Sequence, residues 1–264
     1  MSTAPAEVLL SVAHLSIKFG GLTAVEDLSF EVRRGEILSL IGPNGAGKTS
    51  AFNAITGYLQ AASGDILYRG KRLNGLGPNA IASLGVIRTF QKTSVFANQS
   101  VLDNILIGLH LRSRQSPFAI LLGLPSVARE ETQLREEAAE LLRFIGLETR
   151  AGDMAASLPY GELRLLEVAI ALAAKPELLL LDEPVSGMNG AETEAFMKLI
   201  GKIRGQGKTL LLVEHDMKMV MGVSSRVICL NQGRIIADGA PAEIQRNPDV
   251  IRAYLGERYA RAQG

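Results

Sequence analysis

Cysteine, long apolar runs and excess charge are all scarce in this sequence. It has one cysteine in 264 residues, Cys229 in the apolar stretch RVICL, so no internal disulfide can form and a reducing compartment is favoured. No apolar run approaches the roughly 20 residues that span a bilayer, and the start MSTAPAEVLL lacks the features of a secretory signal. We therefore expect a globular protein of the cytoplasm.

Net charge is equally low. The 28 Lys and Arg residues nearly balance the 27 Asp and Glu residues, giving +1, and the basic residues are scattered among acidic ones. Such a chain has no field that attracts polyanions, so nucleic acid is not an expected partner. The sequence also has no Asn-Lys-x-Asp guanine motif, which argues against a GTPase.

What the sequence does contain is a glycine-rich loop, GPNGAGKT, after the apolar run EILSLI and before the helix-like AFNAITGYL. The glycines let the backbone curl so that successive N–H groups point at a polyphosphate. Lys48 would reach the outer phosphates, and the Thr49 hydroxyl would bind Mg²⁺. A nucleoside triphosphate is the predicted ligand. The predicted binding residues here are Gly42, Pro43, Asn44, Gly45, Ala46, Gly47, Lys48, Thr49 and Ser50.

Three short, partly alternating runs predict antiparallel strands, and two continuously apolar runs predict parallel strands buried on both faces. The antiparallel runs are Val8–Phe19, Thr23–Val32 and Gly64–Leu73, and the parallel ones are Leu178–Leu181 and Thr209–Val213. Ligands of open α/β sheets bind at the carboxyl ends of such strands. The polar residues at those ends are Asp182, Glu183, Glu214 and His215.

The spacing of apolar residues becomes that of a helix over residues 100–146. Leu134, Ala138, Leu141, Leu142 and Ile145 fall on one helical face, with Glu and Arg opposite and Gly146 as a stop signal. A separate helical subdomain is predicted here.

Four residues are candidates for the chemistry of hydrolysis. Asp182 is suited to hold Mg²⁺, and Glu183 to orient or deprotonate an attacking water. Gln91 could touch the metal and the water, and His215 could donate a hydrogen bond to a γ-phosphate. Taken singly, each has a plain alternative: the polar end of a core strand, a surface glutamine or a structural histidine.

The segment LPYGELRLLEVAIALA, residues 158–173, adds a second anion site. In this segment a turn of small residues is followed by a series of strong helix formers. Such a turn leaves free backbone N–H groups at the positive end of the helix. The glycine-rich loop already supplies one phosphate site. A second site is useful if it caps the nucleotide held by another subunit.

The pieces GPNGAGKT, RTFQ, LPYGE, LLLLDEP, SGMN and VEHDM follow one another in an order that resembles the nucleotide-binding subunit of ABC transporters. The resemblance covers essentially the whole chain. It implies an α/β fold: a P-loop NTPase core with a mostly parallel sheet, an antiparallel β subdomain and an inserted α-helical subdomain. The implied parts of this single ATPase domain, residues 1–264, are a core at 7–91 and 175–240, a helical subdomain at 92–174 and a C-terminal helical tail at 241–264.

The resemblance also implies a role for each matching residue. Gln91 corresponds to the coupling glutamine and metal contact, Asp182 to the Mg²⁺ ligand, Glu183 to the general base and His215 to the γ-phosphate switch. Phe19 lies where the family places an aromatic that stacks on adenine, the alternative being a core phenylalanine on an edge strand. The signature positions that would close on a partner's ATP are Leu158, Pro159, Tyr160, Gly161 and Glu162.

Two positions depart from the family pattern. Pro159 replaces a serine and so removes a hydroxyl and a backbone N–H, which puts one phosphate contact in doubt. Because proline is tolerated near a helix start, we expect the N–H groups from Tyr160 onward to carry the capping. Asn189 replaces the usual aspartate of the loop after Glu183, so a cross-subunit contact there is expected to be weaker or differently bonded.

The runs RTFQKTSVFANQSVLDNI and NPDVIRAYLGE, with the insertion around SPFAILLGLP, resemble the ATPase of branched-chain amino acid importers. The insertion is too short to span a membrane; it either meets a transmembrane partner or packs in the helical subdomain. The implied partners are ATP, permease subunits, an identical or sister ATPase and, indirectly, a periplasmic binding protein, with the chain peripheral on the cytoplasmic face of the inner membrane. Amide or urea importers, a lipopolysaccharide-type exporter and a soluble ABC ATPase remain open alternatives.

These assignments predict that Glu183→Gln binds ATP yet hardly turns it over. The amide cannot take a proton from water, and a positioned general base typically contributes about 10²–10⁴-fold to the rate. Steady-state ATPase assays and nucleotide binding, measured on the same preparation, test this. An unchanged ATPase rate would refute the role of Glu183.

Overall fold

The computed structural model describes residues 7–89, 95–110 and 125–254. Its strands form a four-stranded sheet in the order β2-β1-β4-β5 and a six-stranded sheet in the order β10-β9-β3-β8-β7-β6. The strands are β1 (Val8–Phe19), β2 (Leu22–Arg33), β3 (Ile37–Ile41), β4 (Ser63–Tyr68), β5 (Lys71–Arg72), β6 (Val86–Arg88), β7 (Leu178–Asp182), β8 (Thr209–Val213), β9 (Arg226–Asn231) and β10 (Arg234–Gly239).

The helices are α1 (Lys48–Ile55), α2 (Pro78–Ser83), α3 (Val101–His110), α4 (Pro125–Ile145), α5 (Tyr160–Ala173), α6 (Gly190–Gly205), α7 (Met217–Val223), α8 (Pro241–Arg246) and α9 (248–254). Short 3₁₀ turns lie at Glu148–Arg150 and Ala155–Ser157. None of the helices within the described ranges combines the length and apolar character that a membrane span requires.

The strands β3, β8 and β7 lie side by side in parallel, and every residue in all three is buried. This confirms the prediction of parallel strands buried on both faces at Leu178–Leu181 and Thr209–Val213. β7 includes Asp182 as its last residue, one position beyond the predicted Leu181. The backbone of Asp182 is therefore held in the strand rather than in a loop.

The four-stranded sheet is antiparallel throughout, as predicted. The predicted run Gly64–Leu73 is divided into two strands, because Arg69 and Gly70 both adopt positive φ, at 50° and 74°, and turn the chain into the hairpin β4–β5. Phe52 and Ile55 of α1 share one hydrophobic cluster with both sheets. The helix that follows the glycine-rich loop is therefore fixed by packing.

The chain divides into two compact units. The first, Met1–Arg88 with Glu177–Ser186 and Thr193–Gly264, contains both sheets; the second, Thr89–Pro176 with Gly187–Glu192, contains α3, α4 and α5. The predicted helical face of α4 is present: Ala138, Leu142 and Ile145 are buried, and the helix ends before Gly146, where φ is 79°.

Removing a buried side chain from the middle of the parallel sheet should be costly. Leu180 of β7 has no exposed surface, so Leu180→Ala is expected to lower the free energy of unfolding by about 2–5 kcal/mol through lost burial and a residual cavity. Leu76→Ala, at a site 37% exposed, is the matched control and should lose clearly less. Equal losses in urea unfolding would contradict the assignment of β7 to the core.

Candidate active site

A cleft of about 510 Å³ opens beside the N-terminus of α1. It brings together the glycine-rich loop, the turn between β1 and β2, and the residue that follows β7. Its lining consists of Phe19, Leu22, Thr23, Ala24, Asn44, Gly45, Ala46, Gly47, Lys48, Thr49, Ser50, Glu183 and Gln232. Seven of the predicted phosphate-loop residues and Glu183 thus share one cavity with the predicted adenine contact.

The loop between β3 and α1 depends on glycine at two positions. Gly42 has φ of 145°, and a Cβ added there would lie 2.1 Å from the carbonyl oxygen of Leu230. Gly47 has φ of 101°, and its added Cβ would lie 2.5 Å from the carbonyl oxygen of Ala24. Any other residue would displace the loop. These glycines allow the tight turn that leads from β3 into α1, whose first residues line the cleft.

Lys48 is buried at the first position of α1. Its Nζ donates to the carbonyl oxygens of Gly42 and Pro43, at 2.7 and 2.9 Å. The ammonium group is therefore held within the curl of its own loop. A polyphosphate in the cleft would meet this fixed positive charge together with backbone N–H donors.

The Asp182 carboxylate is fully buried. Its Oδ2 accepts a hydrogen bond of 2.6 Å from Nη2 of Arg88, whereas Oδ1 has no hydrogen-bond partner among the described residues. A buried carboxylate oxygen left in this way fits a hard cation such as Mg²⁺. In the described part of the chain no cluster of three or more His, Cys, Asp or Glu residues could hold a metal alone.

Glu183 and His215 follow neighbouring strands of the sheet. Glu183 has a positive φ of 46°, unusual for a residue with a side chain, and its side chain is 31% exposed. The Nδ1 atom of His215 lies 3.8 Å from Oε1 of Glu183. Both side chains reach solvent. The structure thus brings these two predicted residues together at the edge of the sheet where β7 and β8 end.

Glu214 holds the two loops that carry these residues. Its buried carboxylate accepts hydrogen bonds from the backbone N–H groups of Val185, His215 and Asp216, at 3.1, 2.9 and 3.2 Å. Burial raises the pKa of the Glu214 carboxyl, and the three N–H donors oppose that rise. The sequence had marked Glu214 only as a polar strand end. Its long-range bond to Val185 leaves no signal in sequence spacing.

The signature segment lies in the second compact unit. Pro159 is the N-cap of α5, with φ and ψ of −54° and 153°, so the proline lies at the helix start and α5 begins at Tyr160. The Tyr160 hydroxyl accepts hydrogen bonds from Nε and Nη2 of Arg164, at 3.0 and 2.8 Å. A Cβ added at Gly161 would lie 2.7 Å from the Glu192 carboxylate, so the Glu192 side chain would have to move. Glu162 pairs with Arg150 at 3.3 Å.

Asn189 caps α6. Its Oδ1 accepts from the N–H groups of Ala191 and Glu192, at 2.9 and 3.1 Å, and its own N–H donates to Glu192 Oε2 at 2.8 Å. Asparagine therefore supplies the same capping oxygen as an aspartate would, without its charge. Gln91 and most of the SPFAILLGLP insertion lie outside the described residues.

A sequence profile described as ABC transporter matches residues 25–186, which include the glycine-rich loop, the signature segment and the Asp-Glu pair. The chain belongs to the ABC transporter family. It is an ATPase of that family, and its domain is one that binds ATP or ADP. A second profile, described as branched-chain amino acid ATP-binding cassette transporter, matches residues 234–260.

Relatives of this ABC ATPase match along almost all of its length. It is 46% identical over 250 residues to the high-affinity branched-chain amino acid transport ATP-binding protein LivG of Escherichia coli K12, covering 94% of this chain and 98% of LivG. BraF of Pseudomonas aeruginosa, which carries the same description, is 42% identical with the same coverage. The ADP conformation of MJ1267, an ATP-binding cassette of an ABC transporter, superposes with a TM-score of 0.84 at 28% identity, covering 95% of this chain and all of that one. The predicted fold class is confirmed.

In this ABC ATPase, Glu214→Gln should loosen the loops that carry Glu183 and His215. The amide replaces one accepting oxygen with an NH₂ group that faces N–H donors, and an unpaired buried donor costs about 1–3 kcal/mol. We expect the free energy of unfolding to fall by that amount and the ATPase rate to fall with it. Glu194→Gln, which removes only an exposed pair with Lys218, is the control. Unchanged stability and rate would exclude a structural role for Glu214.

Proposed function

We propose that this chain is the ATP-hydrolysing subunit that powers a membrane importer of branched-chain amino acids. The observation that carries the proposal is the 46% identity to LivG over nearly the full length of both chains. The C-terminal match to a branched-chain amino acid transporter profile also supports it, because residues 234–260 lie outside the residues that the general ABC transporter profile matches.

In the proposed binding mode the polyphosphate lies on the backbone N–H groups of the loop and on Lys48. Phe19 is 49% exposed where it lines the cleft, which favours stacking on adenine over a role as a core side chain. Thr49, Asp182 and Gln91 would hold Mg²⁺. When bound, the metal neutralises charge that develops on the phosphates during transfer.

Glu183 is the proposed general base. Its carboxylate is partly exposed and lines the same cleft as Lys48 and Thr49, so a water near the γ-phosphate could give it a proton. His215, 3.8 Å away, is the proposed γ-phosphate donor that distinguishes ATP from ADP. Glu214 keeps both loops in place, which is the positioning that phosphoryl transfer requires.

The signature segment is proposed to act on a second nucleotide. Tyr160 is exposed at the start of α5, and the N–H groups of that first turn are suited to an anion held by an identical or sister ATPase. Two ATP molecules would then bridge two subunits, and hydrolysis would dissolve the bridge. Closure of the two subunits on ATP can do work because ATP makes better contacts with the closed arrangement of the subunits than with the open one.

The proposed assembly places this subunit at the cytoplasmic face of the inner membrane. It would bind permease subunits directly and a periplasmic binding protein only through them. Solute selectivity would belong to those partners, so leucine, isoleucine and valine are distinguished elsewhere in the transporter.

The direct test is replacement of LivG in Escherichia coli. A strain lacking LivG and expressing this chain is expected to regain high-affinity uptake of labelled leucine, while the same strain expressing Glu183→Gln should not. The chain should also co-purify with the import permeases of that strain.

A lipopolysaccharide-type exporter predicts the opposite pattern. Rescue of a strain depleted of its lipopolysaccharide export ATPase, without any recovery of leucine uptake, would overturn the proposal. Uptake restored equally by Glu183→Gln would show that the recovery does not depend on hydrolysis by this chain.

A further inference from the structure

Arg88 is a buried cation beside the active site to which none of the sequence motifs assigns a role. It is the last residue of β6, the edge strand that pairs in parallel with β7. Its side chain is only 9% exposed. A guanidinium group in such a place is costly to bury unless its donors are satisfied. Nη1 and Nη2 have partners, whereas Nε has no hydrogen-bond partner among the described residues, so the partners of the two terminal nitrogens indicate what Arg88 does there.

Those partners come from two different elements of the site. Nη2 of Arg88 donates to Oδ2 of Asp182 at 2.6 Å, and Nη1 donates to Oδ1 of Asn53, also at 2.6 Å. The guanidinium carbon lies 5.7 Å from the centre of the Phe52 ring and 6.0 Å from that of Tyr58. Phe52 and Asn53 belong to α1, the helix whose first turn carries Lys48 and Thr49. The planar guanidinium group of Arg88, a rigid fork, therefore joins the buried Asp182 to α1.

We propose that Arg88 is a positioning residue for the Mg²⁺ held by Asp182. By binding Oδ2, it fixes the carboxylate so that the unpartnered Oδ1 faces the metal. By binding Asn53, it holds that carboxylate in register with Thr49 on the same helix. The inference rests on the proposed function, since the metal role of Asp182 is part of it.

Two effects of Arg88 on metal binding oppose one another. Its positive charge repels Mg²⁺, whereas the orientation it gives to the Asp182 ligand favours the metal. Arg88→Lys separates them because lysine keeps the charge but cannot supply a planar fork to Asp182 and Asn53 at once. Groups that orient a metal ligand typically contribute about 10–100-fold to metal affinity.

The experiment measures binding of a fluorescent ATP analogue to the purified chain, first in EDTA and then against rising Mg²⁺. For Arg88→Lys we expect nucleotide affinity without metal to stay at the wild-type value, and the half-saturating Mg²⁺ concentration to rise by about 10–100-fold. Binding of Mn²⁺, followed by its paramagnetic resonance signal in the presence of the analogue, should weaken in parallel. Circular dichroism and thermal unfolding confirm that the variant is folded.

Two further variants make the result decisive. Asn53→Ala removes the tether to α1 but leaves Arg88 and Asp182 together, and it should weaken Mg²⁺ binding in the same direction by a smaller factor. Arg226→Lys breaks a comparable guanidinium–carboxylate fork, to Asp238 on the opposite edge of the same sheet, and should leave Mg²⁺ dependence unchanged.

A lower melting temperature with wild-type Mg²⁺ dependence in both Arg88→Lys and Asn53→Ala would overturn the inference and reduce the fork to a structural ion pair. If the wild-type chain itself binds the analogue equally well with and without Mg²⁺, the metal assignment of Asp182 in the proposed function fails, and Arg88 has no metal to position. The wild-type titration thus distinguishes the two failures.

Discussion

Parallel pairing of β3, β8 and β7 is the constraint on which the site depends. These strands are buried on both faces, so their order and register are set by packing of apolar side chains. Because parallel strands end at the same edge, the glycine-rich loop after β3, the Asp182–Glu183 pair at the end of β7 and the Glu214–His215 pair after β8 all emerge together. The sheet therefore brings the predicted site residues to one edge.

Much of this arrangement could be predicted from the sequence because its signals are local. The apolar runs, the spacing of GPNGAGKT and the Asp-Glu pair at a strand end each occupy a few consecutive residues. Arg88 and Glu214 could not be assigned in that way. Arg88 meets Asp182 across 94 positions of the chain and Asn53 across 35, and Glu214 meets Val185 across 29. Only the folded sheet brings such partners into contact.

The two departures from the family pattern have simple local outcomes. Pro159 serves as the N-cap of α5, where a fixed φ and a missing N–H do no harm to the helix. Asn189 supplies the capping oxygen for α6 in place of a carboxylate. Pro159 removes a hydroxyl and a backbone N–H at the start of α5, and Asn189 removes a charge at the start of α6. Their consequences should therefore lie in contacts with a second nucleotide or subunit rather than in the stability of this chain.

We propose that the groups at the carboxyl edge of the sheet act on one nucleotide in the cleft beside α1. A crystal structure of the chain with Mg²⁺ and a non-hydrolysable ATP analogue would show this. We expect phosphates on the N–H groups of residues 45–50, the metal on Thr49 and on Oδ1 of Asp182, and Arg88 still bound to Oδ2. A nucleotide bound elsewhere, or an Asp182 carboxylate turned away from the metal, would contradict it.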